Sequence, residues 1–182
     1  MFSPGEARFG GSHQQPQVAS HLLEDDGVYP NNAHLPLLVY VAALDLPERN
    51  PAAVIESLFR QNRWGASWRN GVYGFHHYHS TAHEVLGVYG GSARVQFGGE
   101  HGIVLSVTRG DVVIIPAGVA HKNLGASPDF RVVGSYPQGQ SWDMNYGQPG
   151  ERPRADENIA RVPLPAMDPL YAEAGPLLSL WQ

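Results

Sequence analysis

Apolar residues in this chain fall in short runs broken by glycine, proline and polar pairs, and the runs change character along its length. Ahead of Val18 only Phe2 and Phe9 offer large aromatic surface, in a stretch rich in Gly, Gln, Ser and Pro. Such a segment has little to bury, so residues 1–17 are expected to be a flexible N-terminal segment ahead of one domain spanning 18–182. Glu24-Asp25-Asp26-Gly27 and Pro30-Asn31-Asn32 are turn clusters, and Leu37-Leu38-Val39-Tyr40-Val41 reads as a buried strand. One stretch has helical periodicity. Asn50 is placed as N-cap and Pro51 as the first helical residue, with Val54, Ile55, Leu58 and Phe59 on one face. The helix should stop between Arg60 and Arg63, before Gly65.

From Gly71 to Tyr136 the pattern becomes strands separated by glycine turns. Val85–Tyr89, Ala93–Phe97, Ile103–Thr108, Asp111–Ile115 and Phe130–Tyr136 are the predicted strands. Gly90-Gly91, Gly98-Gly99, Arg109-Gly110-Asp111 and Ala117-Gly118 are the turns between them. Closely spaced short strands of this kind predict an all-β fold with one short helix, a sandwich or barrel of the jelly-roll type. Residues 137–182 form a C-terminal arm, polar and proline-rich at first, then apolar at Leu177-Leu178-Ser179-Leu180-Trp181. That apolar end must dock, either on its own barrel or on a second subunit.

Composition narrows the chemistry. The chain has 182 residues, a formal charge of −5, nine histidines and no cysteine. Without cysteine there is no disulfide, thiolate site or iron–sulfur cluster, so a metal would need nitrogen and oxygen donors. Twelve scattered basic residues in an acidic chain give no footprint for nucleic acid. The first ten residues lack the pattern of a secretory signal, and the longest apolar run, Leu35 to Leu44, is about half a membrane span. The expectation is a soluble cytoplasmic protein with neither membrane nor nucleic-acid partners.

Four histidines crowd into eight residues: His76, His77, His79 and His83, followed at once by Glu84. On an extended strand His77 and His79 share a face while His76 points away, and His83 and Glu84 diverge if the next strand has begun. At most one of that last pair is then a ligand. His83 would otherwise orient another imidazole. Two imidazoles on one strand and a carboxylate opening the next leave room for one more ligand, for which His121 is the leading choice. The set His77, His79, Glu84 and His121 suits one divalent ion, Fe, Mn, Ni, Co or Zn, with positions to spare for water, substrate or O2. By the same parity Tyr73, Phe75, Leu86, Val88, Val95 and Phe97 face the interior. Arg94 points outward, the register of Arg131 is open, and Trp64, Trp68 and Arg69 are read as packing at one end of the barrel. No catalytic base is singled out.

The spacing resembles a known family. Gly71, His77, His79, Glu84 and Gly91 fit G-x5-H-x-H-x4-E-x6-G, and Gly110, Pro116, Gly118 and His121 fit G-x5-P-x-G-x2-H, the two motifs of the cupins. The second motif usually ends with Asn four residues after its His, whereas this chain has Gly125 there and Asn123 nearer. Trp68-Arg69-Asn70-Gly71, His77 through Gly87, Gly134-Ser135-Tyr136-Pro137 and Val162-Pro163-Leu164-Pro165 through Trp181 resemble the bacterial YjlB-type single-domain cupins more narrowly. The resemblance implies a double-stranded β-helix centred on residues 71–136 and metal ligands at His77, His79, Glu84 and His121. It also implies a small-molecule ligand or substrate and a homodimer. The reading it favours is a metal-dependent enzyme of dioxygenase type. A redox-silent isomerase or lyase and a non-enzymatic binder stand as alternatives.

Overall fold

The computed structural model describes residues 16–182, so nearly all of the predicted flexible segment 1–17 lies outside the described residues. Nine strands and three short helices follow in chain order: β1 Val18–Leu23, β2 Asn32–Tyr40, α1 Pro51–Gln61, β3 Trp64–Asn70, β4 Glu84–Gly90, β5 Ser92–Phe97, β6 Ile103–Thr108, β7 Val112–Ile115, β8 His121–Ala126, β9 Arg131–Pro137, α2 Arg154–Ile159 and α3 Pro176–Leu180. They form two antiparallel sheets, one of six strands in the order β1-β2-β7-β4-β9-β3 and one of three in the order β6-β5-β8. This is the all-β jelly-roll architecture that the glycine-punctuated pattern predicted.

The two sheets read differently in sequence because they are buried differently. β5 and β6 alternate buried and exposed positions, with one face inward and one in solvent. The central strands of the larger sheet are covered on both faces, which is why Val112–Ile115 is an unbroken apolar run. Leu37, Val39, Leu86, Val88, Val113, Ile115 and Val132 pack between the sheets against Val95 and Phe97. Leu38, Tyr40, Val85, Val112, Ile114 and Val133 form a second core on the opposite face, beneath α1 and the C-terminal arm. α1 sits tightly there: a Cβ at Gly87 would lie 2.8 Å from Ile55 Cγ2.

The C-terminal arm docks on its own chain. Leu170, Leu177 and Trp181 are buried in the second core. Asp168, fully buried, accepts hydrogen bonds from the Tyr40 hydroxyl and from the Leu170, Tyr171 and Leu177 amides. A buried carboxylate with four donors is satisfied, so it fastens the arm to β2.

Three local expectations are corrected. Asn50 does precede α1, but it takes a left-handed conformation (φ 57°) and its side chain makes no capping bond. Its role is the chain reversal, which Asn tolerates better than most residues. Residues 71–83 are not a continuous strand; His77 makes a single bridge to His121 and Tyr78 one to Asn145. Tyr73 and Phe75 are accordingly about half exposed rather than interior. Trp64 and Trp68 lie on β3, a strand absent from the pattern because its buried positions are interrupted by Gly65, Ala66 and Ser67.

Candidate metal centre

β4 and β8 begin at the same end of the barrel, and each opens on a site residue, Glu84 and His121. The 71–83 segment crosses that end, held by reciprocal backbone hydrogen bonds between His77 and His121 and anchored by the Gly118 amide donating to the His79 carbonyl. Gly118 makes this approach possible. Its φ is +96°, and a Cβ there would stand 2.2 Å from the Asn31 carbonyl oxygen.

His77, His79, Glu84 and His121 are all buried. One ring nitrogen from each of the three imidazoles lies within 4.8 Å of the others, a grouping able to hold a metal ion. Glu84 Oε2 is 3.5 Å from His79 Nε2 and 3.3 Å from His121 Nε2. Each imidazole is oriented through Nδ1, which faces the carbonyl of Phe75, Asp143 or Val119 for His77, His79 and His121 respectively. A nitrogen facing a carbonyl must carry the hydrogen, so Nε2 of each neutral ring is a lone-pair acceptor.

Three Nε2 lone pairs and a carboxylate oxygen therefore converge with no donor among them. Glu84 Oε2 is buried without a hydrogen-bond partner. Buried acceptors without donors are costly, and a cation at their centre removes that cost. The residues fit a divalent ion with N and O ligands. Short of a metal, the cation is a proton. Burial disfavours a charged His79, but the adjoining Glu84 carboxylate outweighs it and raises the His79 pKa above its ordinary 6.5. Burial likewise opposes a charged Glu84, yet His79 and His121 hold its carboxyl well below the usual range. For His77 burial and the neighbouring His121 outweigh the Phe75 carbonyl and Glu84 and push it down to about 3.

Other side chains set the geometry. The Tyr136 hydroxyl donates to Glu84 Oε1 at 3.2 Å and accepts from Trp68 Nε1 at 2.8 Å, leaving Oε2 aimed at the imidazoles. Asp143 supplies the carbonyl that orients His79, and its carboxylate binds the Ser80 amide and hydroxyl and the Asn145 amide. Tyr136 lies in a stretch of family resemblance and Asp143 in none, but nothing in sequence tied either to the site, since each reaches it from more than 50 positions away.

His83 is brought to the other side of the sheet. Its ring lies 4.7 Å from that of Trp181, and Nδ1 accepts the Ala117 amide at 2.9 Å. It thus steadies the turn leading to His121. His76 is buried against Tyr29, with Glu100 Oε1 at 3.1 Å. Arg94 and Arg131 are exposed on their strands and do not line the pocket above the four residues. That pocket has a volume of about 340 Å³, with Trp68, Leu86, Tyr136, Trp142 and Met144 in its walls. A broader groove of about 1880 Å³ between α1 and the C-terminal arm contains none of the histidines.

Comparison with known proteins bears on this geometry. A family model described as Cupin matches residues 69–140, the stretch carrying all four site residues. The uncharacterised protein YjlB of Bacillus subtilis (strain 168) is 42% identical over 165 residues, covering 91% of this chain and 97% of that one. The chain belongs to the YjlB-type cupins. Among solved structures, this cupin is similar to a cupin 2 domain-containing protein from Halorhodospira halophila (14% identity, 85% and 88% of the two chains, TM-score 0.36). It is also similar to the 11S allergen of Cocos nucifera (21% identity, TM-score 0.37), where the match covers 53% of this chain and 32% of that one. The chain thus spans about a third of the length of that 11S allergen. No helix among the described residues is long and apolar enough to cross a membrane.

Proposed function

We propose that this cupin binds one divalent metal ion through His77, His79, His121 and Glu84 and uses it in a dioxygenase-type oxidation of a small organic molecule. The observation carrying the proposal is the buried all-acceptor cluster, with the unpartnered Glu84 Oε2 facing two imidazole Nε2 atoms. When bound, such an ion supplies Lewis acidity and, in redox-active forms, electron transfer with O2. The chain's own residues supply the frame. Three backbone carbonyls fix the imidazole tautomers, and Tyr136 holds one carboxylate oxygen so that the other stays aimed. The pocket above them gives a substrate a largely apolar approach from one side.

Metal content measured by elemental analysis, on protein purified without chelator, tests the first half. His79→Ala should lower the metal-to-protein ratio severalfold without unfolding the barrel; an unchanged ratio sinks the ligand assignment. Oxygen uptake after anaerobic Fe(II) loading, with catechols, thiols, diketones and hydroxy acids, tests the second. No uptake with any of them refutes the oxygenase reading. Turnover supported by Zn(II) without O2 would mark a redox-silent isomerase or lyase, and tight binding without conversion a sensor or carrier. The proposal includes a cytoplasmic location and a homodimer. With its apolar C-terminal arm docked in cis, the dimer rests on family resemblance alone.

A further inference from the structure

The pocket over the histidines differs in its chemistry between floor and walls. Its polar atoms, the imidazole and carboxylate acceptors, sit at the floor, whereas Trp68, Tyr73, Tyr136 and Trp142 contribute aromatic rings around it. The Trp142 ring stacks on Tyr136 with centroids 6.1 Å apart and planes 24° from parallel, and meets His79 edge-on at 5.6 Å. Because Trp142 remains 48% exposed, much of its ring is free to meet a ligand. The Trp68 indole lies against Gly134, where a Cβ would stand 2.2 Å from its Cε2, and its Nε1 is fixed by the Tyr136 hydroxyl. At the outer edge Tyr73 stacks on Phe75, 4.9 Å apart and 14° from parallel, both about half exposed.

Charge is as selective as shape. Among the described residues Arg69 is the one arginine or lysine lining the pocket, and its guanidinium is already engaged by both Glu56 carboxylate oxygens at 2.6 and 2.8 Å. Among the described residues a substrate carboxylate would thus find no free arginine or lysine there and would lie beside the Glu84 carboxylate. A volume of about 340 Å³ lies near the lower end for small-molecule sites and is enclosed by rings on more than one side, unlike the flat face that a second copy would cover.

We infer that the pocket takes a flat aromatic molecule without a carboxylate, stacked against Trp142 and Tyr136 with a hydroxyl or similar neutral polar group directed at the histidine floor. The inference rests on the reading of this pocket as the substrate site and names the substrate class. Aromatic stacking is independent of a metal, so it can be measured apart from metal binding. The experiment is calorimetric titration of the full chain, freed of metal with EDTA, using three probes: 2-naphthol, its saturated analogue decahydro-2-naphthol, and 2-naphthoate. The expected result is 2-naphthol binding about fivefold or more tighter than the saturated alcohol, with 2-naphthoate weaker than 2-naphthol. Trp142→Ala should weaken 2-naphthol binding about fivefold, and Trp142→Phe should restore it to within about twofold. Equal affinity for the saturated alcohol, tighter binding of the carboxylate, or indifference to Trp142→Ala overturns the inference. Failure of 2-naphthol to bind because light scattering and hydrogen exchange show the aromatic rim covered by a second copy also overturns it. Elemental analysis of the same preparation before EDTA separates the two readings. Aromatic preference in a protein that carries no metal supports this inference and refutes the metal proposal; metal without aromatic preference does the reverse.

Discussion

His83 offers a quantitative test because it is buried, neutral and outside the acceptor cluster. It is 1% exposed, packed against Trp181, with Nδ1 accepting the Ala117 amide. Burial pushes its pKa down from the ordinary 6.5 to about 3. Between those two values the unfolded chain binds a proton that the folded chain refuses, so stability falls as pH falls through 6.5 and continues to fall towards 3. At pH 5 the folded imidazole is still almost wholly neutral while the unfolded one is about 97% protonated. The stability lost between pH 7.5 and pH 5 through this one group is about 2 kcal/mol. A His83→Gln variant keeps an acceptor for the Ala117 amide but cannot titrate. It should be less stable than wild type at pH 7.5, having lost ring packing against Trp181. The gap should narrow or reverse by about 2 kcal/mol at pH 5, because only wild type loses the His83 contribution. Urea unfolding of both proteins in EDTA at the two pH values measures this. A gap unchanged within about 0.5 kcal/mol, or a His83 ring resonance that titrates near pH 6.5, would refute the reasoning.

Metal affinity should rise as pH rises through and beyond the ordinary histidine range, because the proton held between His79 and Glu84, whose carboxylate raises the His79 pKa, must leave before a metal enters; a flat curve in a chelator-competition assay would exclude that competition. Asp143→Ala should weaken metal affinity about tenfold or more by loosening the segment whose carbonyl orients His79, and unchanged affinity would show that segment to be held by other contacts. Gly134→Ala should destabilise the fold by about 1–3 kcal/mol and displace the Trp68 indole from the Tyr136 hydroxyl. Wild-type urea midpoints together with an unaltered tryptophan emission spectrum would contradict it.

Local rules carried far where the structure is local. α1 was legible because Val54, Ile55, Leu58 and Phe59 repeat on one face behind Pro51; Ile55, Leu58 and Phe59 are buried, together with Ala52, while Val54 is only partly so. β4 through β7 were legible within one or two residues because Gly91, Gly98, Gly99 and Gly110 all take positive φ at the turns between them. β1, β3 and β8 were not. They are edge strands that bury few positions and lack glycine turns at both ends; β6, also an edge strand, was legible because Gly102 and Gly110 bracket it. At β8 the pattern is further blurred by a register shift opposite Arg94 and Val95, where Leu124 is the extra residue and Gly125 stands in place of the usual Asn.

Parity along the chain separated His77 and His79 from His76, and Glu84 from His83, because alternation depends only on extended backbone dihedrals. It misplaced Tyr73 and Phe75, since residues 71–75 lack the ladder that holds alternation in register. What the sequence determined by itself is the set of four side chains at one end of a barrel, because their spacing follows from short strands and tight turns. What only the tertiary structure decided is how that set is held and enclosed. Tyr136 reaches Glu84 across 52 positions, Asp143 reaches His79 across 64, and Trp68 is seated on Gly134 from an edge strand. Such contacts depend on which strands become neighbours in the sheet, and the order β4-β9-β3 is set by burial of both faces of the larger sheet rather than by any local pattern.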